Sequence, residues 1–220
     1  MKMKTNVNFL RGLIAATLTA SIGLADPACC DEEGVALTEV PPCCAEPMPT
    51  VAAELPAESI YQLDFVFTDD AGNERQLTEL RGQPVLMAMF FAQCGYACPL
   101  LVRDMKLVIE GMPAEVAKDL RVLMVTFDTD RDSVDALRAY RETNDLDERW
   151  ELWRASPADT RTYAMVVGVQ YRQEPSGDFS HSNLITLLDK DGVIAHRRSG
   201  LQGGLEGLGE ATVRFAEMTF

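Results

Sequence analysis

The chain has 220 residues, of which 47% are apolar and 25% are charged. This length and balance predict one globular domain with an ordinary hydrophobic core and an additional tail. The net charge of −14 makes nucleic acids and anionic lipid surfaces poor partners, because their phosphates would repel the protein.

The first 25 residues have the pattern of a secretory signal peptide. The basic residues Lys2, Lys4 and Arg11 come first, without any acidic residue. The apolar stretch Gly12–Ala25 follows, and its end offers the small residues that a signal peptidase requires. This stretch is short for a membrane span, although an uncleaved segment that anchors the protein stays open. We therefore predict an exported or periplasmic protein in an oxidising compartment, where thiols need a reductant.

Residues 26–58 are predicted to form a flexible acidic tail, because prolines recur and apolar periodicity is low. The pattern Pro-x-Cys-Cys-x-Glu occurs twice in this tail. Cys29 and Cys30 lie in the first copy, and Cys43 and Cys44 lie in the second. Mobile thiolates of this kind could hold Cu(I) and pass it on. Disulfide formation, or no role at all, is the alternative.

A β-hairpin is predicted next. The alternating segment Tyr61–Phe67 predicts its first strand, and Arg75–Leu77 predicts its second. The residues between them, Asp69–Asn73, have the composition of a tight turn.

The most informative stretch is residues 84–101. Val85–Phe91 is an unbroken apolar run, which predicts a strand buried on both faces. Cys94 and Cys98 follow, and Pro99 predicts a helix that begins near Cys98 and continues to about residue 110. Because a helix N-terminus favours negative charge, it lowers the pKa of a thiol placed there.

Further elements are predicted along the rest of the chain. The strands are Leu120–Phe127, Glu151–Arg154, Val169–Tyr171, Asn183–Leu188 and Val193–His196, and the helices are Ser133–Glu142, Pro157–Val167 and Glu206–Met218.

Two closely spaced thiols can form a disulfide, or they can hold a soft metal such as Cu(I) or Zn(II). A metal would require a third ligand, and the chain has only two histidines. His181 lies in a predicted polar loop before an apolar strand, where it is either solvated or a ligand. His196 lies in a predicted strand, where a ligand role is not expected.

Four segments together have a specific pattern: Leu80–Leu86, Phe90–Phe91 through Cys94–Pro99, Val125–Asp132, and Ser180–Ser182 followed by Leu187–Gly192. With these segments, the chain resembles the Sco/SenC copper-chaperone family over about residues 60–218. This resemblance implies an α/β, thioredoxin-like fold over residues 59–220, in which a central mixed sheet is flanked by helices and preceded by the β-hairpin.

The same resemblance implies that Cys94, Cys98 and His181 are copper ligands. It also implies that Asp130 or Asp132 shapes its loop and caps the following helix. The partners it implies are the cytochrome c oxidase subunit that carries the copper centre, and a thioredoxin-like reductant or a copper donor protein.

Two functions follow from these predictions. The first is a copper metallochaperone that delivers Cu(I) or Cu(II) to cytochrome c oxidase by thiolate exchange. The second is a thiol–disulfide oxidoreductase that reduces client cysteines, in which one of Cys94 and Cys98 attacks and the other resolves.

Overall fold

The computed structural model describes residues 54–202, together with Gly207 and Glu210. The predicted signal peptide, nearly all of the predicted tail and most of the predicted helix Glu206–Met218 lie outside these residues. Within them, no helix is both long enough and apolar enough to cross a membrane.

Nine strands and four α-helices make up the described part of the chain. The strands are β1 (Phe67–Asp69), β2 (Glu74–Arg75), β3 (Val85–Phe90), β4 (Arg121–Thr126), β5 (Trp150–Arg154), β6 (Tyr171–Gln173), β7 (Phe179–His181), β8 (Leu184–Leu188) and β9 (Ile194–Ser199). The helices are α1 (Ala97–Glu110), α2 (Ala114–Ala117), α3 (Val134–Thr143) and α4 (Pro157–Val167), with two short 3₁₀ helices at Ile60–Gln62 and Leu77–Leu80.

Seven of the described strands form one mixed sheet in the order β2-β1-β5-β4-β3-β8-β9. The pairs β3–β4 and β4–β5 are parallel, and β3–β8, β8–β9 and β1–β5 are antiparallel. All six residues of β3 are buried, which confirms the prediction of a strand covered on both faces. The expected α/β class with a central mixed sheet is therefore confirmed.

The first predicted strand, Tyr61–Phe67, is wrong over most of its length. Its beginning is a 3₁₀ helix, because the Ser59 hydroxyl accepts the backbone N–H of Tyr61 and caps it. The strand begins only at Phe67. The predicted turn is confirmed, since Asp69 Oδ1 accepts the N–H groups of Ala71 and Asn73 at 2.9 and 2.8 Å.

Helices α1, α3 and α4 lie where the sequence predicts them. Helix α4 has Pro157 in its first turn and ends at Gly168, whose φ of 82° is in the left-handed region. The strand predicted at Val169–Tyr171 is displaced to β6. The loop predicted at Gln173–Ser180 is confirmed only for residues 174–178, since β6 and β7 form a hairpin that pairs Tyr171 with His181.

Different segments of the chain lie at the two ends of the sheet. The chain enters at the end where β3 begins: the Ser59 hydroxyl donates to the carbonyl of Asp191, and Ile60 N–H donates to the carbonyl of Gly192 at 3.0 Å. The turn that contains these carbonyls follows β8, which runs antiparallel to β3. The opposite end, where β3 and β4 finish side by side, carries Cys94, the first turn of α1 with Cys98, and the loop of residues 128–132.

Candidate metal centre

The cysteine pair is held by the passage from β3 into α1. Cys94 N–H donates to the carbonyl of Phe91 at 3.2 Å, and Cys98 lies in the first turn of α1. Cys98 N–H in turn donates to Cys94 Sγ at 3.2 Å. Cys98 is fully buried and Cys94 is half-buried, and both are free thiols. The two sulfurs are therefore close together but unequally accessible.

In the metal-free protein, the pKa values of the two thiols are shifted in opposite directions. A hydrogen bond from the Cys98 side chain is the largest cause that lowers the pKa of Cys94, to about 3, and His181 and the backbone N–H groups of Cys98 and Tyr96 add to it. Burial opposes this shift. The hydrogen bond to Cys94, together with burial, raises the pKa of Cys98 well above its usual range. Cys94 is therefore the thiolate and Cys98 the protonated partner.

His181 is the last residue of β7, and its ring faces the cysteines. Its Nδ1 lies 3.3 Å from the carbonyl oxygen of Ser182. If a metal were bound, a proton on Nδ1 would complete this hydrogen bond and leave the lone pair of Nε2 for the metal. The imidazole is half-buried, so one side of it is open to solvent or to a partner.

Cys94, Cys98 and His181 converge on one point. Each offers one ligand atom, and these three atoms all lie within 4.8 Å of one another. Two thiolates and one imidazole suit copper, because soft sulfur donors select Cu(I) and imidazole also suits Cu(II). The chemistry of the donor set therefore fits the predicted metal.

An aromatic cluster surrounds the imidazole, and sequence reasoning missed it. The ring of His181 lies 5.1 Å from that of Phe127 and 6.0 Å from that of Phe91. Phe127 also stacks on Tyr171 at 4.9 Å and contacts Phe179 at 5.1 Å. Tyr171, before the predicted loop, and Phe179, within it, were the available signal, but the contact between their rings, at 6.2 Å, is visible only in the fold.

The acidic loop after β4 is shaped chiefly by Asp128 and Asp132. Asp128 Oδ1 accepts the N–H of Arg131 at 3.2 Å, and its Oδ2 accepts from the Arg131 guanidinium. Asp132 Oδ2 accepts the N–H of Ala92 at 2.8 Å and the hydroxyl of Thr126. Burial raises the pKa of Asp132. Asp130, by contrast, is exposed. The predicted capping role for Asp130 or Asp132 is wrong, since Ser133 Oγ accepts the N–H of Ala136 and caps α3.

The other candidate residues lie apart from this group. His196 is on β9, opposite Leu187, and does not join the cluster. The accessory metal residues predicted in the tail, Cys29, Cys30, Cys43 and Cys44, lie outside the described residues.

The protein is similar to known proteins in both sequence and fold. The family model described as SCO1/SenC matches residues 53–203. A Stutzerimonas stutzeri protein described as copper-binding is 27% identical over 170 residues, which cover 70% of this chain and 76% of that protein.

Two solved structures are similar to this chain with TM-scores near 0.6. The copper-bound ScoI of Bradyrhizobium japonicum has a TM-score of 0.59 and 22% identity, and the match covers 69% of this chain and 96% of ScoI. BsSco, a member of the Sco family of cytochrome c oxidase assembly proteins in which a disulfide switch was identified, has a TM-score of 0.60 and 19% identity. That match covers 70% of this chain and 92% of BsSco. Together with the family match over more than half of its length, this shared thioredoxin-like fold establishes that the chain belongs to the SCO1/SenC family.

Proposed function

We propose that this protein is an exported copper metallochaperone that holds copper on Cys94, Cys98 and His181. The observation that carries the proposal is the convergence of two sulfurs and one imidazole within 4.8 Å. The copper-binding description of the S. stutzeri relative and the copper in B. japonicum ScoI support the choice of metal. Copper is cargo here, so the site must both bind it and release it.

Release is supported by the unequal burial of the ligands. Cys98 is buried, whereas Cys94 and His181 are half-buried. Donor atoms of a client can therefore approach the copper from the side of Cys94 and His181, and replace these two ligands first. Exchange of one thiolate for another keeps the coordination number constant, so the ion need never be free in solution.

The client that we propose is the cytochrome c oxidase subunit that carries the copper centre. BsSco belongs to a family of cytochrome c oxidase assembly proteins, which supports this choice. A second partner, either a copper donor protein or a thioredoxin-like reductant, would load the site or keep its thiols reduced. Export is proposed from the leader pattern of residues 1–25, and a mature chain that begins after Ala25 by mass spectrometry would agree with it.

The test compares the two histidines of the chain. We would measure Cu(I) affinity by competition with a chromogenic chelator, in reduced protein whose four tail cysteines are replaced by serine. We expect His181→Ala to weaken binding by at least about tenfold, since loss of even an outer partner of a metal ligand costs that much. His196→Ala is the matched control and should bind as the parent does. Equal affinity in the His181→Ala variant would contradict the proposal.

A second function is favoured by the hydrogen bond from Cys98 N–H to Cys94 Sγ and by the greater exposure of Cys94. In a thiol–disulfide oxidoreductase, the Cys94 thiolate would attack a client disulfide and release one client thiolate, forming a mixed disulfide. Cys98, after losing its proton, would then attack Cys94 Sγ, which releases the second client thiolate and leaves the Cys94–Cys98 disulfide. A reductant must restore the two thiols.

The two functions differ in their dependence on His181. Reduction of an oxidised dithiol peptide by the protein, at a rate that His181→Ala leaves unchanged, would favour the oxidoreductase. Copper binding that requires His181, with slow peptide reduction, would favour the chaperone.

A further inference from the structure

The two halves of the proposed copper site come from segments that belong to different sheets. Cys94 and Cys98 follow β3 in the seven-stranded sheet. His181 ends the hairpin of β6 and β7, which among the described strands pair only with each other. The halves already meet directly, since the ring of Phe91 lies 6.0 Å from that of His181, and β8, which begins three residues after His181, pairs with β3. The loop Thr126–Asp132, which begins at the last residue of β4, is a third segment that contacts both halves.

The contact with the cysteine half is made by Asp132. Its side chain is fully buried, and its Oδ2 accepts the N–H of Ala92, two residues before Cys94, at 2.8 Å. The hydroxyl of Thr126, the last residue of β4, donates to the same oxygen. Asp132 Oδ1 is buried and has no hydrogen-bond partner among the described residues. A buried carboxylate with one unpaired oxygen is unfavourable, and the two hydrogen bonds to Oδ2 offset part of that cost.

The contact with the imidazole half is made by Phe127. Its N–H is bound to the carbonyl of Phe90 at 3.0 Å, so its backbone is fixed at the end of β3. Its ring lies 5.1 Å from that of His181 and 4.9 Å from that of Tyr171. The guanidinium of Arg131, also in this loop, lies 5.5 Å from the ring of Phe179 and so contacts the same hairpin.

We infer that the loop Thr126–Asp132 sets the distance between the cysteine pair and His181, with Asp132 and Phe127 as its two positioning residues. Asp132 holds the Cys94 loop through Ala92, and Phe127 holds the imidazole against the cluster. Neither residue is among the three proposed ligands. The inference rests on the proposed copper site, but the separation that it concerns exists in the metal-free protein and can be measured there.

The first experiment replaces Asp132 in the full chain. Asp132→Asn keeps a carbonyl oxygen for Ala92 and Thr126, whereas Asp132→Ala removes the acceptor. We would measure the reduction potential of the Cys94–Cys98 disulfide without metal, the Cu(I) affinity and the thermal midpoint. We expect the Asn variant to keep its Cu(I) affinity within about twofold and the Ala variant to lose about 10- to 100-fold, as for other outer partners of metal ligands.

Two results would overturn the role of Asp132. One is an Ala variant with the parent's potential and copper affinity. The other is a folded Asn variant that loses as much as the Ala variant, because the charge rather than the hydrogen bond would then matter. The Asn variant also covers the case in which the Ala variant does not fold.

The second experiment replaces Phe127 with leucine, with Phe65→Leu as the matched control. Phe65 is half-buried, and its ring lies 6.4 Å from that of Phe67. We expect Phe127→Leu to shift the imidazole NMR resonances of His181 in metal-free protein and to weaken Cu(I) binding about 10-fold or more. Phe65→Leu should leave both unchanged. A Phe127→Leu variant with a lower thermal midpoint but unaltered His181 resonances would overturn the inference.

These readouts separate the inference from the proposed function. If His181→Ala binds copper as the parent does, the copper proposal fails. The resonances of His181 and the disulfide potential would still decide whether the loop positions the two halves.

Discussion

Cys94 Sγ accepts the backbone N–H of Cys98 across 3.2 Å, at the beginning of α1. Tyr96, the residue at the N-cap position, makes no capping hydrogen bond with its own side chain. The sulfur therefore does for this helix what a serine or aspartate oxygen usually does, and the helix stabilises the thiolate in return. Cys94 Sγ is therefore both the cap of α1 and the reactive thiolate.

The first prediction concerns the reactivity of the thiols. Because the pKa of Cys94 is lowered to about 3, it should be alkylated by iodoacetamide at about pH 5, where an ordinary thiol is protonated. Cys98, whose pKa is raised, should resist the reagent at the same pH. Peptide mapping of metal-free, reduced protein would give the rate at each cysteine. A Cys94 rate that rises with a midpoint near that of a free thiol would contradict this prediction.

The second prediction concerns the tail cysteines. If Cys29, Cys30, Cys43 and Cys44 form an accessory site, a full chain with all four replaced by serine should bind fewer equivalents of Cu(I) than the parent. Titration followed by metal analysis after desalting would measure both stoichiometries. Equal stoichiometry would rule out copper binding by the tail.

The third prediction concerns Gly192, in the turn after β8. Its φ is 79°, and an added Cβ would lie 2.6 Å from the ring of Tyr61, which is buried. Gly192→Ala should therefore lower the free energy of unfolding by roughly 2–4 kcal/mol, from backbone strain and overpacking together.

Gly200 is the matched control for this substitution. It has a φ of 94°, but nothing lies within 4 Å of its added Cβ. Gly200→Ala should cost only the backbone strain, about 1 kcal/mol. Urea unfolding of both variants would measure the difference, and equal losses would show that contact with Tyr61 is unimportant.

The fourth prediction concerns the buried ion pair between Arg198 on β9 and Asp104 on α1. Arg198 Nη1 lies 2.9 Å from Asp104 Oδ2, and the two side chains are only 9% and 4% exposed. Arg198→Ala should cost roughly 3–5 kcal/mol, because it leaves a carboxylate buried without its cation. In the exposed pair of Arg138 and Asp135, Arg138→Ala should cost no more than about 1 kcal/mol. Similar losses in urea unfolding would contradict the distinction.

Many of the strands and helices could be predicted because the sequence patterns that indicate them are local. The apolar run that forms β3 needs no partner to be recognised, and Pro157 and Gly168 mark both ends of α4. The spacing of Cys94 and Cys98 and the helix that follows are also local features.

The errors arose where distant residues decide the conformation. The 3₁₀ helix at Ile60 depends on the turn at Asp191, more than a hundred residues later, to which Ser59 is bound. The hairpin that carries His181 depends on an aromatic cluster completed by Phe127 and Phe91. Asp132 shapes the loop after β4 more than Asp130 does, because the Asp132 carboxylate accepts the N–H of Ala92. Such contacts follow from the three-dimensional arrangement, and no periodicity in the chain encodes them.

The hydrogen bond from the Ser59 hydroxyl to the carbonyl of Asp191 also determines at which end of the sheet Ser59 lies. The six residues of β3, about 3.3 Å each, separate the point where the chain enters the domain from the pole that bears the thiols. Ser59 is therefore held at the end of the sheet that lies opposite the two thiols.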